Sequence, residues 1–196
     1  MQEPFFKIRN QFNAYFLTFT VVGWVDIFSR KQCRDILIDS LKYCIDKKGL
    51  ILYAYVVMTN HMHTIMAARP DSDGLSAIIR DFKKFTSKAI LKWMINNRQE
   101  SRRDWMSDIF LQYAKTTARN EHFQVWTHDN HPFELLFPST TEQKLNYIHY
   151  NPVKAGFVRL PQEYLYSSAG NYYGNIENLL DVTLLDFGGK IGKVRT

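Results

Sequence analysis

Residues 13–22 (Asn-Ala-Tyr-Phe-Leu-Thr-Phe-Thr-Val-Val) combine aromatic and β-branched side chains and predict a first strand. The period then changes. Across residues 30–48, Ile36, Leu37, Leu41, Cys44 and Ile45 follow helical spacing, with Ser29 at the N-cap position and Gly49 where a left-handed C-cap sits. The apolar run 50–67 is broken only at Thr59-Asn60, which predicts two strands, 50–58 and 61–67, joined by a tight connection. After a turn at 71–74, residues 75–97 predict a second helix with Ile78, Phe82, Phe85 and Ala89 on its apolar side. Residues 98–119 are charged and weakly patterned, as in a loop or insertion, and 123–127 predict another strand followed by a turn at 128–132. Ser139 and Glu142 have capping-box spacing, so a third helix opens there. It is expected to stop near Tyr150, because Pro152 biases Asn151 away from helical geometry. No internal repeat or clear linker divides the chain.

Within this frame the second strand of the 50–67 pair carries His61-Met62-His63. Residues i and i+2 of a strand share a face, so both imidazoles point to one side while Met62 packs on the other. Two neutral imidazoles so placed form half of a divalent-cation site. A satisfied, partly buried strand pair is the alternative reading of the same pattern.

The third helix supplies a second constellation. Tyr147 and Asn151 are spaced i,i+4 and lie nearly on one line of the helix, about 100° around from the Leu145–Ile148 apolar stripe. A phenol beside a carboxamide places a nucleophile next to an oxygen-donor metal ligand. Eleven tyrosines occur in the chain, however, and most tyrosines pack or cap. Tyr150 is a second phenol on the same helix, off the Tyr147–Asn151 line.

Charge and composition narrow the partners. The net charge of +6 favours polyanions, and Arg80, Lys83, Lys84 and Lys88 form a basic stripe on the second helix opposed only by Asp81. With 15% aromatic residues, the basic surface suits single-stranded nucleic acid, although the rings also suit the core of an ordinary basic enzyme. The 196 residues contain no apolar stretch long enough for a membrane span, and the N-terminus lacks the apolar region of a signal peptide. Cys33 and Cys44 form no CxxC pair, so a reducing, cytoplasmic setting is expected, without a disulfide framework or cysteine zinc site.

Tyr-Val-Val-Met-Thr-Asn-His-Met-His (55–63) together with Tyr-Ile-His-Tyr-Asn-Pro-Val-Lys-Ala-Gly (147–156) resembles the single-tyrosine HUH transposases, in particular the branch of REP-associated tyrosine transposases. The likeness runs from about residue 14 to 173 and takes in the basic helix and the Tyr164–Ser168 motif. It implies an α+β, ferredoxin-like antiparallel sheet with helices on one side, the histidines on a central strand and the nucleophile on a facing helix. A single domain over 1–175 is expected, with 176–196 as a C-terminal extension. The resemblance further implies that His61, His63 and Asn151 hold Mg²⁺ or Mn²⁺ and that Tyr147 attacks DNA to give a 5′-phosphotyrosine. Classical insertion-sequence relatives carry Gln at the place of Asn151, so the shorter side chain leaves direct or water-mediated ligation open. The expected activity is cleavage and rejoining of single-stranded, hairpin-containing DNA by a monomer or homodimer, with Arg80, Lys83, Lys84, Lys88 and Lys154 on phosphates. Two alternatives differ in class: a hairpin-DNA-binding protein of the same fold that does not cut, and a hydrolase in which His61, His63 and a carboxylate activate water.

Overall fold

The computed structural model describes residues 7–116, 123–174 and 177–187. Four strands, β1 (Tyr15–Thr20), β2 (Leu50–Val57), β3 (His61–Ala68) and β4 (Phe133–Glu134), form an antiparallel sheet in the order β2-β3-β1-β4. The expected α+β class and antiparallel sheet are therefore present, with the His-Met-His strand in the interior of the sheet.

Strand alternation separates two apolar layers. Tyr15, Leu17 and Phe19 of β1, with Met62 and Met66 of β3, face helices α1 (Lys31–Lys48) and α2 (Leu75–Asn96) in the main core. Phe16, Val56 and Ile65 point the other way and meet Leu145 and Ile148 of α4 (Pro138–Lys154). The histidine face thus carries its own helix. Between Leu52 and Ala54 the β2–β3 register slips at a bulge, so Tyr53 and Ala54 both pack on the α4 side before alternation resumes.

Gly49 ends α1 at φ +72°, as its position predicts, and a Cβ there would come within 2.8 Å of the Ser72 Cβ. Several other expectations are corrected. Ser29 lies in a short 3₁₀ turn and Arg30 is the α1 N-cap residue, without a side-chain cap. The segment expected as a loop contains helix α3 (Arg103–Lys115), with Met106, Phe110 and Ala114 buried; Thr117 to Arg119 lie outside the described residues. Met106, Phe110 and Ala114 at i, i+4 and i+8 form its buried face, and Ile109 beside them packs on the main core. The expected strand at 123–127 makes one bridge, Val21 with Trp126, and the chain then follows β1 through irregular bonds such as Thr18 N–H to the Asn130 carbonyl. No capping box forms at Ser139; Pro138 occupies the first turn of α4, where its missing N–H costs nothing. The helix also continues through Pro152 to Lys154. Proline sits in the last turn and removes one helical bond, while its ring is buried and the Ala155 N–H closes on the Asn151 carbonyl.

Residues 177–187 return to the body. Leu180 is buried in the main core, and the Thr183 N–H bonds the Leu52 carbonyl on the outer edge of β2.

Candidate active site

His61 and His63 stand on the α4 side of β3, their ring centroids 4.8 Å apart. Each ring has its Nδ1 engaged. His63 Nδ1 bonds Thr18 Oγ1 at 2.9 Å, from the residue directly opposite on β1, and His61 Nδ1 bonds the Asn60 Oδ1 at 2.7 Å. Phe16 stacks on His63 with centroids 5.3 Å apart. Burial lowers the His61 pKa; burial, then the positive charges of His61 and Lys144, push His63 down to about 3. Both rings are therefore neutral at pH 7, and with Nδ1 as the donor each keeps an Nε2 lone pair for a ligand.

Tyr147 comes from α4 to meet them. Its Oη lies 3.4 Å from His63 Nε2 and its ring centroid 5.1 Å from that of His63. The ring is 40% exposed, so the phenol is open to a large substrate. Tyr150, the other phenol on this helix, is half-buried and makes no such contact with either histidine. Asn151 is half-buried one turn beyond Tyr147, on the same line of the helix. Among the described residues no group of three or more His, Cys, Asp or Glu stands together; the donors that could hold a cation here are the two imidazoles and, on the Tyr147 line of α4, the Asn151 carboxamide. Two neutral nitrogens whose far nitrogens are fixed by Thr18 and Asn60 suit that donor set.

The cations divide differently from the sequence expectation. Lys154 is exposed and holds its Nζ 5.9 Å from the Tyr147 ring centroid. Lys144, which the sequence reading missed, places its Nζ 4.6 Å from the Phe16 ring and 5.1 Å from that of Phe133. Its signal was available: Lys144, Tyr147, Asn151 and Lys154 follow i, i+3, i+7 and i+10, one stripe of α4. The α2 stripe lies beyond the opposite face of the sheet. Arg80 pairs with Asp81, and Lys84 and Lys88 are exposed. Lys83 is spent internally: its ammonium donates to the Thr127 carbonyl at 2.8 Å, and burial pushes its pKa down to about 8. It pins the 125–135 segment rather than presenting a surface charge.

A second buried histidine sets the register of α4. His149 Nε2 bonds Ser168 Oγ at 3.0 Å, and the same Oγ accepts the Tyr55 N–H at 3.0 Å. The Tyr164–Ser168 motif is thereby tied to both the helix and β2. Desolvation lowers the His149 pKa from 6.5 to about 3. The unfolded chain takes up a proton near 6.5 that the folded chain refuses until about 3, so this stability is complete above 6.5 and drains as pH falls through that window. Urea midpoints are accordingly expected to fall between about pH 6.5 and 5, above the carboxylate range, and His149→Gln should make that decline shallower.

Comparison with known proteins adds the family. Residues 15–124, more than half of the chain, match the family described as "Transposase IS200 like". A solved structure described as "Structure of the REP associates tyrosine transposase bound to a REP hairpin" is similar with a TM-score of 0.60 and 16% identity, covering 100% of this chain and 99% of that chain. At that identity the likeness concerns the fold. No curated protein matches. The histidine pair and the strands that aim it fall inside the matched segment, and the chain belongs to the IS200-like transposase family.

Proposed function

We propose that this protein is a metal-dependent single-strand DNA endonuclease and strand transferase that acts on hairpin-containing DNA through Tyr147. The observation that carries the reading is the Tyr147 Oη at 3.4 Å from His63 Nε2, on an exposed ring beside a neutral histidine pair. The solved relative's description as bound to a REP hairpin supports hairpin DNA as the substrate class.

Tyr147 attacks the phosphorus of a backbone linkage. The new O–P bond forms as the P–O3′ bond breaks, leaving a 5′-phosphotyrosine and a free 3′-OH; the phenol gives up one proton and the departing 3′-oxygen takes one up. Attack by a second strand's 3′-OH reverses the step and rejoins the DNA. His61, His63 and Asn151 are the residues that hold Mg²⁺ or Mn²⁺, which supplies a Lewis acid for the phosphate oxygens. Lys154 and Lys144 bring positive charge to either end of the Tyr147 stripe, where the strand must pass.

Incubation with single-stranded hairpin DNA and Mn²⁺ is expected to give a denaturation-resistant protein–DNA adduct that peptide mapping places at Tyr147. DNA binding without any adduct, across hairpin substrates, establishes the non-cleaving binder instead; turnover without an adduct establishes the hydrolase.

The α2 cations enter as a separate proposal, that Lys84, Lys88 and Arg80 contact phosphates of the same DNA. Lys84→Glu with Lys88→Glu is then expected to reduce the slope of log K against log salt by roughly two, one per lost phosphate contact. An unchanged slope confines the DNA to the α4 side of the sheet.

A further inference from the structure

Between β1 and α1 the chain makes a short turn, Val22–Trp24, that the proposed chemistry does not use. Its tryptophan is 69% exposed, although Val22 and Val25 on either side of the Gly23-Trp24 pair are buried. Trp24 also has φ +54°, directly after Gly23 at +61°. A left-handed backbone is costly for a residue with a Cβ and persists only where surrounding structure enforces it. The turn lies against α3, where a Cβ on Gly23 would come within 2.8 Å of Ile109 Cγ2, and the indole of the next residue is exposed.

The turn is wired to the histidines. Asn60 Nδ2 donates to the Trp24 carbonyl at 3.4 Å, while Asn60 Oδ1 holds His61 Nδ1. The Trp24 and His61 ring centroids are 6.4 Å apart at 68°. Trp24, His61, His63 and Tyr147 therefore form a row of rings that begins with an exposed indole and ends at the phenol.

We propose that Trp24 is a stacking platform for an unpaired nucleobase of the DNA strand that crosses the Tyr147 site, a reading that rests on the function proposed above. A large aromatic face exposed at the mouth of a phosphate-handling site meets what single-stranded DNA presents there: a base without a pairing partner, next to its backbone phosphate. Stacking of this kind tolerates every base, so Trp24 selects for unpaired DNA over duplex rather than for sequence.

The test compares the full-length wild type with Trp24→Gly and Trp24→Phe. Glycine accepts φ +54° and removes the ring without adding backbone strain, and phenylalanine restores an aromatic face. Binding is measured by anisotropy on one hairpin with a single-stranded flank and on the same hairpin cut blunt. Trp24→Gly is expected to weaken binding of the flanked hairpin by about 10- to 100-fold and to leave the blunt one nearly unchanged, with Trp24→Phe recovering most of the loss. In the wild type an abasic residue scanned through the flank should reproduce the loss at one position, and that position should have no further effect in Trp24→Gly. Unchanged affinity of Trp24→Gly for the flanked hairpin, or an equal loss on both hairpins, overturns the platform while the DNA reading stands. A wild type that binds neither hairpin overturns both.

Discussion

Tyr147→Phe is expected to abolish the covalent protein–DNA adduct, with cleavage falling by at least about a thousandfold, while hairpin affinity stays within a few-fold of wild type. The asymmetry follows from what the substitution removes. One oxygen is lost, while the ring edge on Phe16 and the cation contact with Lys154 remain. The phenol's contact with His63 is long, at 3.4 Å, and the ring is partly in water, so the folded state is expected to lose less than about 1 kcal/mol. Adduct yield on denaturing gels and the thermal midpoint check the two halves separately. An adduct that survives in Tyr147→Phe would move the nucleophile elsewhere, with Tyr150 of the same helix the next candidate.

His61→Ala carries the second large effect: divalent-dependent cleavage is expected to disappear. It is the cleaner of the two histidine variants, since His61 is half-buried, whereas His63 is 6% exposed and stacked on Phe16. The readout does not depend on activity. An ion that binds only the folded chain raises its thermal midpoint with concentration, so Mn²⁺ should raise that of wild type and of Tyr147→Phe but not that of His61→Ala. A midpoint shift that persists in His61→Ala would place the ion elsewhere on the protein. Together the two substitutions separate ion binding from nucleophilic attack, which a loss of cleavage alone does not do.

How far the sequence discloses this arrangement depends on the range of the interaction concerned. β1 to β3, α1 with Gly49, and α2 are legible because strand alternation and helical period are local patterns with strong apolar content. The two histidines on one face follow from the same two-residue period. So does the Tyr147–Asn151 line from helical spacing. What stays hidden is decided across the chain. Thr18 fixes His63 only because β1 and β3 pair in one register, and Lys83 is consumed by carbonyls more than forty residues away. In α3 apolar residues such as Trp105 and Tyr113 on the exposed side blur the Met106–Phe110–Ala114 face, and the packing of Ile109 on the Gly23 turn is a tertiary contact. Pro152 shows the converse, a local rule overruled by burial of the last turn of α4. The family match ends at residue 124, before Tyr147, so the proposal of Tyr147 as nucleophile rests on geometry and on the 147–156 motif.

The outer border of β2 has a consequence for how such molecules coexist at high concentration. An uncovered border strand offers its amides and carbonyls to any neighbour and seeds aggregation. Here Val57 N–H reaches the Tyr166 carbonyl, the Tyr55 carbonyl takes the Ser168 N–H, and the Leu52 carbonyl takes the Thr183 N–H. At the far side, β4 is only two residues long. Both flanks of the sheet are thus blunted by the chain itself. Copies crowded together are denied strand-to-strand coalescence, and a break within residues 177–187 would restore that hazard at Leu52 before it disturbed the histidines.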